Sequence, residues 1–471
     1  MSDLSYDIKI RSVEARRGVK GTIISYRLTW RVDSRIWQET FRTRAQADSY
    51  RSKLLSAARS GEPFAVESGR PLAWSPKPER SSWFSFTLRF TEVKWPLVSP
   101  GHRRGIAESL TDATEALYTR EAPFPRTVVR AAQQWAYSNR IRDRQTTPDQ
   151  FSDVLEWLDS NTVRMDGFRD KVRAADLARG ILRRISQTQQ GEPAASSTAT
   201  RKRMVILNAF EYACELGMIT DNPLEHVRWT KARTTNSVDP RVVINSDQAR
   251  RFLEAVGGQS DRDRHYRAFF ALMYYAALRP EEATELRRSQ LDLPDSQVRW
   301  GELRLHHALP RSGSRWTNTG EIRERAALKH RATGDSRTVP LHPDLVTILR
   351  AHLNEYGPRD PEARLFRGRH GGPVTDRTYL RVFHEARAAA FTDREAASPL
   401  MNRPYSLRHA AVSTWLRTTG DAALVARWAG HSVGVLLTVY AKCVDGMEAE
   451  SLERIWNATR RGPETPSPGN V

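Results

Sequence analysis

The 471-residue chain reads as a multidomain protein, mainly α-helical with small β elements. Three observations predict this. Apolar and polar residues alternate with a period of two only near the amino terminus. A long central stretch places apolar residues at helical spacing with almost no strand signal. Beyond residue 241 helical segments surround two short strand-like runs, as in an α+β domain.

In the first unit, residues 1–70, Tyr6, Ile8 and Ile10 alternate with Asp7, Lys9 and Arg11. The run "IISYRLTWRV" alternates Ile24, Tyr26, Leu28, Trp30 and Val32 with Ser25, Arg27, Thr29 and Arg31. These are half-buried strands, and "IWQETFR" (36–42) supplies a third. Thr43 with Gln46 three residues on makes a capping box for a helix carrying Tyr50, Leu54 and Ala58, which Gly61 stops. The prediction is a three-stranded sheet backed by one helix. Basic side chains, Arg27 and Arg31 among them, lie on the open face as candidates for holding an anionic partner; the alternative is a merely solvated face.

Residues 71–83, rich in Pro, Ser and Trp, read as a linker. From 84 to 232, segments such as "GIAESLTDATEALYTR", "RTVVRAAQQWAYSNR" and "VRAADLARGILRRIS" predict an all-helical domain, with a flexible loop at "QTQQGEPAASSTAT" (187–200). A second linker, 233–244, lies in a basic stretch not expected to pack. The third domain, 245–458, opens on a helix capped by Ser246. It continues through "HYRAFFALMYYAAL", apolar nearly all round and so a central buried helix, and through strand-like "QVRWGELRLHH" and "RTVPLHP". Helices follow near 343–356, 376–390, 406–418, 421–429 and 433–441, and the Pro- and Gly-rich tail 459–471 is expected to be disordered.

Composition restricts the function. Lys and Arg number 74 against 55 acidic residues, a formal charge of +19 that calls for a nucleic-acid partner. A membrane is disfavoured, because no uncharged run approaches the roughly 20 apolar residues of a spanning helix and no signal-peptide pattern opens the chain. Cys214 and Cys443 are the only cysteines, which excludes a disulfide scaffold and a multi-cysteine zinc site and points to a reducing cytoplasm.

Four short stretches carry the chemistry. In "AALRPEEATELRR", Arg279 precedes Pro280, which belongs in the first turn of a new helix, so Arg279 sits in a helix-to-helix corner suited to an anion. Glu282 is placed to hold that guanidinium or to cap the helix; in isolation a structural Arg–Glu pair is the commoner reading. "LKHRATGDSRTVPL" reads as a hairpin with Lys329 on its first strand, a potential proton donor or simply a solvated lysine. "NRPYSLRHAAVSTWL" sets Arg408 and His409 at the start of a long helix. In "LVARWAGHSVGVLLTVYAKC", Gly430 ends a helix, His431 occupies the corner, Ser432 caps the next helix and Tyr440 rides on it.

In order and spacing, "ALRPEE", "LKHRATGDSRTVPL", "YSLRHA", "AGHS" and the following tyrosine resemble the tyrosine recombinases, the phage-integrase family. The likeness is strong over about 245–450, and the wording is most like integrases of actinomycete phages and integrative elements. It is looser over 84–232, where it implies a core-site-binding domain, and over 1–70, where it implies an arm-site-binding domain.

The resemblance implies that Tyr440 is the nucleophile, forming a 3′-phosphotyrosine and freeing a 5′ hydroxyl. Arg279 and Arg408 would grip the scissile phosphate, His431 would add a hydrogen bond and Lys329 would protonate the leaving oxygen. A phenol with a pKa of about 10 needs such stabilisation, and planar guanidinium forks suit it. The family often has a histidine three residues before the second arginine. Here that place holds Tyr405, leaving the proton acceptor for Tyr440 open; His409, adjacent to Arg408, is expected to point elsewhere on the helix and to order the fold, and Tyr405 and His409 stand as secondary site residues.

The family needs no cofactor and no metal. The sequence agrees in lacking a phosphate-binding GK[S/T] loop, and "HEARA" (384–388) lacks the second histidine of a zinc helix. The implied activity is site-specific DNA recombination, integrating or excising a mobile element. Its partners would be duplex attachment sites of core and arm type, a homo-tetramer on synapsed DNA, and potentially a directionality factor and a DNA-bending protein, all in the bacterial cytoplasm at the nucleoid. A helix around 447–457, with Met447, Leu452 and Ile455, is expected to dock on a neighbouring protomer. The alternatives are a non-cleaving DNA-binding regulator on the same scaffold and a type IB topoisomerase-like enzyme.

Overall fold

The computed structural model describes residues 4–17, 22–74, 81–230, 237–261, 263–296, 298–329, 334–368, 370–444 and 448–459. Met447 and the tail from 460 lie outside them. The chain is mostly helical, with small antiparallel sheets.

In the amino-terminal unit, strand β3 (Ile23–Val32) is the spine of the sheet. Its alternation turns Leu28, Trp30 and Val32 to the core and leaves Arg27, Thr29 and Arg31 on the opposite face. One edge pairs with β4 (Arg35–Phe41). The other pairs with β1 (Ile8–Ile10), which lies within the expected first strand, and with β2 (Glu14–Arg17), a strand the alternation did not predict, so the sheet has four strands rather than three. Helix α1 (Arg44–Arg59) backs it with Ala47, Leu54 and Ala57, and the predicted capping box is present, Thr43 and Gln46 exchanging two 3.3 Å bonds. Gly61, at φ +70°, turns the chain away.

The central unit comprises α2 (Trp83–Lys94), α3 (Pro100–Glu115), α4 (Arg126–Ala136), α5 (Asp149–Asn161), α6 (Lys171–Ile185) and α7 (Ser196–Glu215). Helix α3 is its axis. Asp112 and Glu115, at its carboxy-terminal end, bind Arg130 of α4, Arg184 of α6 and Lys202 of α7, tying four helices through one buried network. The predicted loop is shorter than expected. α7 begins at Ser196, and the turn before it closes through a Thr188–Glu192 backbone bond and a Gln187–Pro193 bridge.

In the third unit α8 (Ser246–Gly257) is capped by Asn245, not Ser246, because Asn245 and Gln248 form the reciprocal pair of a capping box. Helix α9 (Tyr266–Tyr275) is buried as predicted and leads to α10 (Pro280–Glu285). Strand β5 (Leu291–Asp292) and β6 (Gly301–Leu305) follow, then β7 (His307–Ala308), β8 (Ala326–Ala327) and β9 (Arg337–Leu341). Among the described residues no strand pairing spans "TGDS": β8 pairs with β7, while β9 pairs with β6. Lys329 consequently lies in a turn beyond β8 and is exposed. Helices α11 (Pro343–Tyr356), α12 (Asp376–Ala390), α13 (Asp393–Ala397), α14 (Tyr405–Thr419), α15 (Ala422–Ala429), α16 (Val433–Val444) and α17 (Glu448–Thr459) complete the fold.

Two segments bind the units together. The 309–323 excursion between β7 and β8 reaches into the helical unit, where Trp316 joins the apolar core against Trp95. Arg103 stacks on Trp95 at 4.4 Å and donates to the Trp316 carbonyl at 2.9 Å, and Ser138 donates to the Arg315 carbonyl at 2.8 Å. The described part of the second linker, 237–244, also packs, contrary to expectation. Val238 is buried beside Tyr440 and Leu436, and its N–H donates to the Val439 carbonyl at 2.7 Å. An apolar valine in a basic stretch has this burial to gain. No single helix among the described residues is long and apolar enough to cross a membrane.

Candidate active site

Arg279 is the residue before α10, in extended geometry, with Pro280 opening the helix as its fixed φ favours. The corner's free N–H is satisfied by protein: the Arg279 backbone donates to Glu282 Oε2 at 2.8 Å, and its Nη1 donates to Glu282 Oε1 at 2.8 Å. Its Nη2 crosses to the Gly430 carbonyl at 3.0 Å. Two residues earlier Ala277 adopts φ +50°, a conformation a residue with a Cβ rarely takes, and its carbonyl accepts from Arg408 Nη1.

Arg408, in the first turn of α14, is completely buried. Its Nη2 donates to the Ala429 carbonyl and to His431 Nε2 at 2.9 Å. A guanidinium has no lone pair to offer, so His431 Nε2 accepts and the imidazole proton sits on Nδ1. That Nδ1 is buried and meets no partner among the described residues. Burial first, then Arg408, Arg279 and Arg337, push the His431 pKa down to about 3, so the ring is neutral near pH 7. Burial also lowers the Arg408 pKa, with Arg279 adding repulsion.

A further guanidinium, that of Arg337 on β9, grips the Glu282 carboxylate with both nitrogens, at 2.9 and 2.7 Å. Burial alone would raise the Glu282 carboxyl; Arg337, Arg279 and Arg408 outweigh it and bring the pKa to about 2. The centre therefore holds three buried arginines and one buried carboxylate among these four residues. An excess of desolvated positive charge is costly unless an anion joins it. Sequence reading passed over Arg337. Its signal was there: the alternation of β9 puts it in phase with the buried Val339 and Leu341, a place where a charge needs a reason.

Tyr440 sits one turn after Leu436 on the inner face of α16, fully buried. Its ring lies 6.2 Å from that of His431, nearly parallel, and its hydroxyl is 3.0 Å from His409 Nδ1. His409 was expected to point elsewhere and order the fold; it faces the phenol. Burial, reinforced by Arg403 and Arg408, brings its pKa to about 4. Tyr405 places its ring 5.9 Å from the Arg408 guanidinium and 5.0 Å from the His409 ring.

Arg279, Glu282, Tyr405, Arg408, His409, His431 and Tyr440 are thus gathered in one place. Lys329 is not: no hydrogen bond or ion pair joins it to them among the described residues. Arg27 and Arg31 lie far along the chain on the amino-terminal sheet, where Arg27 pairs with Glu14 at 3.3 Å and Arg31 with Asp7 at 3.0 Å. Among the described residues no group of three or more His, Cys, Asp or Glu could hold a metal ion.

Residues 242–445 match the model of the phage integrase family. Tyrosine recombinase XerC of Chromobacterium violaceum is 27% identical over 180 residues, 38% of this chain and 48% of the relative. The chain therefore spans about half the length of that curated relative. Among solved structures, the Tn1549 transposon integrase in complex with transposon right end DNA aligns over 70% of this chain and 98% of its own, at 16% identity and a TM-score of 0.47. The XerH site-specific recombinase bound to its difH substrate aligns over 79% of this chain and 95% of its own, at 13% identity and a TM-score of 0.44.

Proposed function

We propose that the protein is a site-specific DNA recombinase that cuts and rejoins duplex DNA through a 3′-phosphotyrosine and so integrates or excises a mobile element, a reading supported by the match of residues 242–445 to the phage integrase family model. The observation that carries this reading is the buried excess of guanidinium charge beside a buried tyrosine and a neutral histidine whose Nδ1–H is unpaired within the described residues.

Each residue has a task in this scheme. Arg279 and Arg408 neutralise the non-bridging oxygens of the scissile phosphate as charge grows in the pentavalent state. The Nδ1–H of His431 donates to the same oxygens. Tyr440 attacks phosphorus, its proton passing to His409 Nδ1 at 3.0 Å as its oxygen forms the new P–O bond, and the bond to the 5′ oxygen breaks as that oxygen takes a proton from Lys329. The bond energy is retained in the phosphotyrosine, so attack by a 5′ hydroxyl reverses the step and rejoins the strand. Lys329 must approach the site when DNA binds, which an exposed lysine on a turn can do.

The strong positive charge suits duplex DNA held between the helical and carboxy-terminal units, with the amino-terminal sheet at a separate arm site through Arg27 and Arg31. On α17, Leu452, Ile455 and Trp456 form an exposed apolar stripe at helical spacing, suited to docking on a neighbouring protomer in a tetramer.

The test is a nicked duplex carrying the attachment site, from which the cleaved end diffuses away and traps the adduct. Wild type should form a covalent protein–DNA species, Tyr440→Phe none, and Arg408→Ala at least about a hundredfold less in a fixed time. Specific binding with no adduct would leave a non-cleaving regulator; an undiminished adduct with Tyr440→Phe would move the nucleophile to another residue.

A further inference from the structure

We infer that Arg337 is a positioning residue of the proposed strand-transfer centre, holding Glu282 so that Arg279 and the His431 corner are set before the phosphate arrives. The inference rests on the recombinase reading.

Four contacts converge on the Glu282 carboxylate, two on each oxygen. Oε1 accepts from Arg279 Nη1 at 2.8 Å and Arg337 Nη1 at 2.9 Å; Oε2 accepts from the Arg279 backbone at 2.8 Å and Arg337 Nη2 at 2.7 Å. Held by Arg279 alone, the carboxylate could rotate with its own side chain and carry that arginine along. The planar fork of Arg337, projecting from the strand ladder of β9 and β6, fixes the carboxylate plane to a rigid element.

Arg337 also reaches the corner that presents His431. Its Nη1 approaches the Ala429 carbonyl at 3.4 Å, and its guanidinium occupies the space where a Cβ on Gly430 would stand. Gly430 is at φ +66°, so both the conformation and the space require glycine there. The two carbonyls of this corner thereby receive three arginines: Arg337 and Arg408 on Ala429, Arg279 on Gly430. Moving Arg337 would loosen the carboxylate that aims Arg279 and the turn that aims His431.

A purely structural role is the competing account, since a buried ion pair is often replaceable by apolar side chains. Charge counting speaks against it. Arg279 and Glu282 already balance, and Arg337, with 1% of its surface exposed, adds a desolvated positive charge with no carboxylate of its own. Fold stability alone gives no reason for that excess, whereas a site awaiting a phosphate does.

The experiment measures single-turnover adduct formation on nicked duplexes whose scissile group is either the natural phosphodiester or a methylphosphonate, which lacks the non-bridging charge the arginines neutralise. The variants are Arg337→Met and Arg337→Lys; the lysine keeps a charge against Glu282, and so the fold, but loses the fork. Expected are DNA affinity near wild type, cleavage of the phosphodiester slowed about a hundredfold, and a much smaller deficit on the methylphosphonate. Wild-type cleavage of the phosphodiester by folded Arg337→Lys and Arg337→Met would overturn the inference, as would an equal deficit on both substrates, the mark of general damage. No adduct from wild type itself would overturn the recombinase reading and this inference with it.

Discussion

The hydroxyl of Tyr440 lies 3.0 Å from Nδ1 of His409, the residue after the arginine at the heart of the site. Both side chains are buried, and a histidine with its pKa near 4 is a neutral hydrogen-bond partner at physiological pH. With Nε2 protonated, Nδ1 accepts from the phenol. His409 is thus the side chain against the phenolic proton, while Tyr405, three residues before Arg408, packs edge-on to the His409 ring. The expected outcome in single-turnover cleavage is a loss of about a hundredfold for His409→Ala and a clearly smaller one for Tyr405→Phe, which keeps the ring. The reverse ranking would return the acceptor's role to Tyr405.

Acid stability tests the buried titratable groups. His431 at about 3, with His409 and His352 at about 4, stand below the ordinary 6.5, so each binds protons more readily unfolded than folded. Their contribution is fully present above the unfolded value and is lost as pH falls through the folded ones. Glu282, at about 2 against an ordinary 4.5, adds a further loss in the lower window. The melting temperature should fall progressively with acidification below about pH 6.5. His431→Gln should soften the decline; a melting temperature constant down to about pH 4 would contradict the burial of these rings.

The bond between units turns on Trp316, an indole from the carboxy-terminal unit inside the core of the helical one. Trp316→Ala should cost about 3–5 kcal/mol, the range for large aromatic truncations in a core. Because the lost contacts join two units, calorimetry should show the helical unit melting earlier and apart from the rest. One unsplit transition at the wild-type temperature would mean that the excursion rests on the helices without stabilising them.

Legibility followed the range of the interactions. The Thr43 capping box, the Arg279–Glu282 pair and the Gly430–His431–Ser432 corner are closed by residues within a few positions of each other, so short motifs declared them. Arg337 was missed because its role exists only once β9 pairs with β6 and delivers it to Glu282, 55 positions earlier. The same limit hid Val238 on Val439 and Trp316 among the helices, where apolar side chains in polar stretches found burial that local composition argued against. His409 was misjudged on its own helix: a residue adjacent to Arg408 points about 100° away from it, and α16 supplies Tyr440 on that side.

Lys329 is the residue whose assignment the geometry leaves most to chemistry, being exposed on a turn while the arginines are buried. If it donates the proton to the departing 5′ oxygen, its importance must depend on how badly that oxygen needs one. An alkoxide leaving group needs protonation; a thiolate, with a pKa several units lower, does not. Lys329→Ala should therefore slow cleavage of the natural linkage by about a hundredfold or more, yet cleave a duplex with sulfur in the 5′-bridging position nearly as fast as wild type. Lys329→Arg, with a group that does not release its proton near neutral pH, should behave like the alanine variant on oxygen and like wild type on sulfur. An equal defect on both linkages would make Lys329 a contact that holds DNA rather than an acid, and the proton would have to come from another donor at the phosphate.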